Sequence, residues 1–418
     1  MKNIKRILCS VLAMVIALSV MLTGCGMPKI AFNALPDTAA TYGDNQKLST
    51  GEYLAYLYLE FENMYYNQGL YQYEAYGMDP WAQTFPYGDS EEKLLFSDYV
   101  IRATQDNIKR QIVLAQMMEE KGLSWIEEDL KEITDSLNQM EPDAYLPLGF
   151  NNDSYAYALK NANLNERSAF YGLYGKDGKE PVSEETLKKY FADNYLSYKV
   201  ISIPLTDKDG KELGKDSEAR KKIMERMDKY LDLYEEKGFD AAKEAYDKDE
   251  EEAKNATTTT TGKNNTATTT AAATTTTTAA ATTTTTAADD HDHDHDHDHE
   301  EEEDKDPTRV DADATAMDEE LAKAIRTVDV GKAKIVEYKA GGTTPTAALI
   351  VRMDIHTDRN GKKDGLYEDS IENIIYELKY EDFDKAVDAK VAELSIVFDE
   401  KVIKKCKPEQ FLEIINNL

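Results

Sequence analysis

Apolar residues recur at two different periods along this chain, and the change of period divides it. The stretch "STGEYLAYLYLEFENMYYNQ" sets Leu54, Leu57, Tyr58, Phe61 and Tyr65 at the spacing of one helix face. Ser49 and Glu52 at its head have the spacing of a capping box. A tyrosine-rich loop with Pro80, Trp81 and Pro86 comes next. A long helix is predicted from about Ser90 to Lys121, with Ile101, Ile108, Ile112 and Ala115 on one face and Gly122 as its stop. Ser124 and Glu127 predict a second capping box before Ile126, Leu130, Ile133 and Leu137, and a further helical stretch covers Asn152 to Leu173. Up to about residue 180 the chain reads as packed helices.

The pattern changes at "KEPVSEETLKKYFADNYLSYKVISIPL". A short helix starts near Ser183, and Tyr198 to Leu205 reads as a strand rich in β-branched residues. A helix carrying Ile223, Met227, Tyr230 and Tyr234 follows, and Gly238 and Phe239 interrupt it before a short helical turn. Further on come a helix at Glu319 to Arg326 and strands at Ala333 to Tyr338 and Ala347 to Asp354. The C-terminal part predicts a helix with Ile371, Ile374, Ile375 and Leu378, one around Phe383 to Leu394, and one after Pro408. The expected fold class is α+β: a mostly helical module with a small α/β domain.

Residues 249–307 carry no apolar periodicity. Thr and Ala blocks lead into "HDHDHDHDHEEEED", which holds five of the six histidines. Such a segment cannot offset the entropy of ordering itself, so a disordered insertion is expected. His291, His293, His295, His297 and His299 leave two readings open: a solvated acidic spacer, or a weak zinc buffer. Neutral imidazole is a good Zn²⁺ ligand, and alternate residues of an extended chain point the same way. Nothing there orients the rings, so no resident cofactor is expected beyond weak zinc binding.

Lys2, Lys5 and Arg6 precede an apolar run from Ile7 to Leu22, the form of an export signal. The following Leu22-Thr23-Gly24-Cys25 resembles the bacterial lipobox, which implies that Cys25 is acylated and starts the mature chain. The expectation is a signal peptide at 1–24, a tether at 25–46 and a protein held by lipid to the extracytoplasmic face of the cell membrane. Of three cysteines, Cys9 leaves with the signal and Cys406 has no partner, so burial rather than disulfides must hold the fold. A net charge of −31 argues against nucleic acid as a partner. Phosphate loops, nucleophile elbows and Cys/His pairs are absent from the apolar-patterned sequence, and "TDRNGKKDG" reads as a turn rather than a calcium loop.

An exported helical region, then "VSEETLKKYFADN", "EEKGFDAAKEAYDKD" and "AMDEELAKAIRTVDVGKAKIVEY" in this order, resembles the foldase lipoproteins of the PrsA/SurA type. Those proteins join a helical chaperone module to a parvulin peptidyl-prolyl isomerase domain. The resemblance implies a chaperone region at 47–180, a parvulin-like domain at 181–248 and 308–363 closing around the 249–307 insertion, and a C-terminal helical region at 364–418. It implies unfolded secreted polypeptides as clients. Active parvulins carry a histidine in the first and last strands; the matching positions here are Ser202 and Leu349. That departure implies a peptide-binding unit with weak or no activity. An active isomerase and a zinc-capturing lipoprotein are the alternatives. Client contact is expected at Tyr58, Tyr65, Tyr66, Trp81 and Phe85, where aromatic rings supply broad apolar area; their helical spacing fits core packing equally well.

Overall fold

The computed structural model describes residues 35–88, 92–260 and 306–416. Two antiparallel strands open it, β1 (Thr38–Tyr42) and β2 (Gln46–Ser49), joined by a turn in which Gly43 and Asn45 both take positive φ. The second half of the expected tether is therefore structured. The apolar/polar alternation there is too short to stand out from the sequence, and pairing supplies what propensity does not. Ser49 then caps helix α1 (Thr50–Glu62) as its spacing requires: its hydroxyl accepts from Glu52 N–H at 3.1 Å, and Glu52 accepts from Ser49 N–H at 2.7 Å.

One turn of π-helix (Asn63–Asn67) ends α1, and a four-residue helix α2 (Gln72–Ala75) follows. The next helix begins later than its pattern suggests. Strands β3 (Thr84–Pro86) and β4 (Lys93–Leu95) pair first, and α3 (Phe96–Lys121) stops at Gly122 in the left-handed conformation. Helix α4 (Glu127–Leu137) has no cap from Ser124; the Ile126 N–H is met instead by the Ser168 hydroxyl of α5 (Asn152–Tyr174). That long-range bond outcompetes the local box. Gly51 lets α1 approach α5: a β-carbon there would lie 2.7 Å from Ser154 Oγ.

Helix α6 (Glu184–Asn194) runs directly into β5 (Tyr195–Pro204). Helices α7 (Glu218–Lys237) and α8 (Phe239–Thr260) are separated at Gly238. The expected insertion thus starts too early at Asp249. Asp249 accepts from the Tyr230 hydroxyl at 2.8 Å and Glu250 from Arg226 at 2.9 Å, which ties this part of α8 to α7. After β6 (Val310–Asp313) come α9 (Glu319–Arg326), β7 (Ala333–Ala340) and β8 (Thr344–Arg352). Helix α10 (Gly365–Glu393) is continuous where two helices were expected, since neither Gly nor Pro interrupts it. Strand β9 (Ile396–Phe398), α11 (Glu400–Lys405) and α12 (Glu409–Ile415) complete the chain. The fold is α+β and mostly helical.

The chain divides into two units. One is the sequence up to Glu184 together with Glu372–Leu418; the other is Glu185–Ile371. In the first, β9 pairs with β1, giving the order β2-β1-β9, so the C-terminal segment joins the N-terminal helices. Arg110 on α3 donates to Glu166 on α5 at 2.9 Å and to Asp384 on α10 at 2.7 Å, and the Tyr380 hydroxyl donates to the same Glu166 at 2.5 Å. Val402, Cys406, Phe411 and Ile414 are buried in one core with Tyr53, Tyr58 and Phe61.

The second unit is a four-stranded antiparallel sheet, β6-β5-β8-β7, covered on both faces. Ile201, Ile203, Ala347, Leu349 and Val351 pack with Met227, Tyr230 and Phe239 of α7 and α8. On the other face Leu196, Tyr198, Ala348 and Ile350 pack with Leu321 and Ile325 of α9. The continuous apolar run from Ala347 to Val351 follows from this two-sided burial. Among the described residues no helix is long and apolar enough to cross a membrane.

Candidate functional site

Within the sheet, register decides which residues can act together. Ser202 lies opposite Ala348, and Leu349 lies opposite Ile201. Successive side chains point to opposite faces, so Ser202 belongs to the α9 face and Leu349, fully buried, to the α7/α8 face. The two expected positions do not meet. The residue facing Ser202 across the strands is Ala348, one place from the expected one, and single-residue register cannot be read from the sequence. Tyr338 of β7 lies on the same face of the sheet, and burial raises the pKa of that tyrosine above its ordinary value. This part of the α9 face therefore presents two neutral hydroxyls at physiological pH. They can hydrogen-bond a peptide carbonyl; neither is poised to exchange a proton.

The loop after β8 is held by a buried arginine and by an aspartate turn. Arg309, buried, donates to Asp311 at 2.9 Å and to the carbonyls of Asp354 at 3.0 Å, Asp358 at 3.1 Å and Thr357. Asp358 folds the turn by accepting from the N–H groups of Asn360 and Lys362, and a bridge joins Thr357 to Lys363. An internal guanidinium thus gathers three carbonyls of the loop. His356 is exposed, with Nδ1 3.3 Å from Asp364.

In the helical unit the expected client-contact residues separate into base and surface. Tyr58 and Tyr65 are buried, so neither offers contact area. Their helical spacing serves the core instead. Tyr66, Trp81 and Phe85 are partly buried against that core. Trp81 stacks on Phe96 with ring centroids 4.8 Å apart, and Phe85 meets Phe96 edge-on at 6.0 Å. The exposed apolar side chains of this region lie between them in sequence: Tyr71 is 46% exposed, Tyr76 77% and Met78 45%. The Tyr71 ring lies 6.5 Å from that of Tyr66, tilted by 32°, and joins this exposed stretch to the partly buried aromatics. The signal that could have found it is the glycine pair Gly69 and Gly77, both at positive φ, bounding a segment with no helical apolar period.

Beneath this lobe the π-turn follows directly on Glu62, a buried carboxyl. Burial pushes its pKa up to about 7. Tyr145 and Tyr155 surround the same point, and both have raised pKa values, chiefly from burial. The Cys406 thiol is buried and pushed up to about 12, which makes it a packing residue rather than a nucleophile. Cys25 and the five histidines from His291 to His299 lie outside the described residues. Among the described residues no group of three His, Cys, Asp or Glu side chains could hold a metal.

No family model and no curated protein sequence matches the chain. Among solved structures it is similar to the foldase protein PrsA from Lactococcus lactis, at 12% identity over 89% of this chain and 98% of that one, with a TM-score of 0.32. Likeness at that level fixes neither a site nor a chemistry, and the functional reading is built on the geometry above.

Proposed function

We propose that this protein is a lipid-anchored, extracytoplasmic chaperone that holds unfolded secreted polypeptides. The observation that carries the reading is the exposure of Tyr71, Tyr76 and Met78 close together in sequence, beside the partly buried aromatics of the core. Large amphipathic rings and a flexible thioether, held out at low entropic cost, bind apolar segments without demanding one sequence. The surrounding surplus of acid, −31 overall, keeps a complex with a sticky client soluble. In this reading the sheet unit binds peptide through Ser202 and Tyr338 and accelerates prolyl isomerisation little or not at all. Cys25 supplies the lipid anchor.

The test is aggregation suppression with the Tyr71→Ser, Tyr76→Ser, Met78→Ser triple variant. All three side chains are exposed, so folding should be unchanged while protection of an unfolded client falls several-fold. Equal protection by parent and variant would refute the lobe as the client surface. A proline-peptide assay at micromolar protein addresses the sheet unit. Relaxation should keep its uncatalysed time of tens to hundreds of seconds. A clear acceleration would make the protein an isomerase instead.

A further inference from the structure

Strand β5 pairs with β8 along most of its length, but with β6 only from Tyr195 to Tyr198. Beyond that, the stretch from Val200 to Pro204 has β8 on one side and no strand of the described residues on the other. Parity fixes what the open side presents. The Met353 N–H donates to the Ser197 carbonyl at 2.7 Å and the Leu205 N–H to the Pro345 carbonyl at 2.7 Å, so odd-numbered residues of β5 bond to β8. Even-numbered residues face the other way, as Asn194 does when its carbonyl accepts from the Ala314 N–H at 2.7 Å. The N–H and carbonyl groups of Val200 and Ser202 and the carbonyl of Pro204 therefore point to the open side. No group of the described residues bonds them there.

The other edges of this sheet are guarded. Strand β7 exposes Lys334, Glu337 and Lys339 along its length, and β6 carries Asp311 and Asp313. Charged side chains of this kind deter a further strand. The open stretch of β5 carries no charge: Val200 and Ser202 are partly exposed, and Pro204 is exposed at its end. The stretch is also bounded. Strand β6 stands on the same line before it, and after it the chain turns back, with the Leu213 N–H donating to the Leu205 carbonyl at 2.9 Å. A folded edge strand from a second copy would bring its own neighbours against β6 and this turn, whereas one unfolded segment fits between them. Main-chain pairing demands no sequence beyond an N–H at the bonded positions, which suits a protein that holds unfolded chains.

We propose that an extended, proline-free segment of an unfolded client adds to the sheet along Val200 to Pro204 of β5, antiparallel to it. The segment's main chain bonds the open groups of Val200 and Ser202. Its uncharged, β-branched side chains lie beside those two residues on the α9 face. This rests on the reading of the sheet unit as peptide-binding and supplies its mode; Tyr71, Tyr76 and Met78 take no part.

Residue-resolved amide exchange on the full mature chain tests the proposal, with acetyl-Ser-Val-Thr-Val-Ser-amide as the probe. Without peptide, Val200 and Ser202 should exchange much faster than Ile201 and Ile203, whose N–H groups bond β8. Saturating peptide should slow Val200 and Ser202 by about tenfold or more and leave Ile201 and Ile203 unchanged. Ser202→Pro removes a donor that the folded sheet does not use, so it should melt close to the parent while binding the peptide about tenfold more weakly. Should Ser202→Pro fail to fold, the exchange pattern of the parent decides alone. The Tyr71→Ser, Tyr76→Ser, Met78→Ser variant should show the parent's pattern, and the lobe is judged separately by aggregation suppression, so either reading can fail without the other. Slow exchange of Val200 and Ser202 in the free protein, no slowing by millimolar peptide, or parental affinity in Ser202→Pro would each overturn the proposal. So would faster exchange of these two amides once residues 261–305 are replaced by a Gly/Ser linker, which would assign the edge to the chain's own segment.

Discussion

The two units differ in the buried ionisable groups they hold. In the sheet unit the buried guanidinium groups are engaged on several sides. Arg309 meets one carboxylate and three carbonyls, and Arg220 donates to Glu337 at 2.6 Å and to the Leu213 carbonyl at 3.1 Å. The helical unit buries Glu62 at a near-neutral pKa and leaves Gln111 Oε1 without a donor. Satisfied buried charge fixes one structure; unsatisfied or proton-hungry groups mark places where something else is expected to happen. The buried charges of the sheet unit therefore brace it, while the buried carboxyl of the helical unit makes that unit the one that responds to pH near neutrality.

The largest effect should come from breaking the scaffold. Arg309→Ala leaves Asp311 buried without its partner and strips three carbonyls of theirs at once. Removing one side of such a pair costs about 3–5 kcal/mol. Chemical denaturation should show the sheet unit lose that much, while the helical unit unfolds as before. Arg309→Lys should recover only part, because an ammonium cannot span a fork of four acceptors. A loss below about 1 kcal/mol for Arg309→Ala would mean that the loop holds itself.

Next in size is the pH response of the helical unit. Folded Glu62 keeps its proton up to about pH 7, against 4.5 for an ordinary glutamate carboxyl. Across that window the folded state holds a proton that the unfolded state has released, so this contribution falls as pH rises. The decline should approach the order of 3 kcal/mol by pH 8. Glu62→Gln keeps a neutral hydrogen-bonding group beside Tyr58 and should flatten the profile, leaving the variant the more stable above neutrality. Parallel profiles for parent and variant would show that Glu62 ionises freely in the folded state.

The contrast between the units also explains what the sequence could and could not say. The capping box at Ser49 and Glu52, the stop at Gly122, helix α9 and the strand character of β5 and β8 were legible, because local spacing and propensity fix them. Strands β1, β2 and β9 were not: β1 and β2 form a hairpin too short to show a period, and β9 gains its structure by pairing with β1 across the length of the chain. Sites followed the same division. The tyrosine-rich character of the client region was visible, but Tyr58 and Tyr65 obey the helical period and go to the core, while Tyr71 and Tyr76 break it and stay outside. Ser202 and Leu349 were misjudged as a pair because facing residues depend on register.

The smallest expected effect concerns the segment between the two halves of the sheet unit. Replacing residues 261–305 with a short Gly/Ser linker removes none of the described contacts of α8 or β6. Shortening a closed loop lowers its entropic cost by only about 0.6 kcal/mol per halving, so thermal stability should hold or rise slightly. The boundary matters. A cut beginning at Asp249 also removes the acceptors of Tyr230 and Arg226, and should cost about 1–3 kcal/mol more than the cut at 261. The His291 to His299 tract offers neutral imidazoles near pH 7, so zinc titration of the parent should show weak binding, lost as the pH drops below about 6.5 and absent from the 261–305 replacement. Chaperone activity should be equal in the two proteins with and without zinc. If the replacement protects clients poorly only when zinc is present, the tract takes part in the mechanism and the two units are not the whole of it.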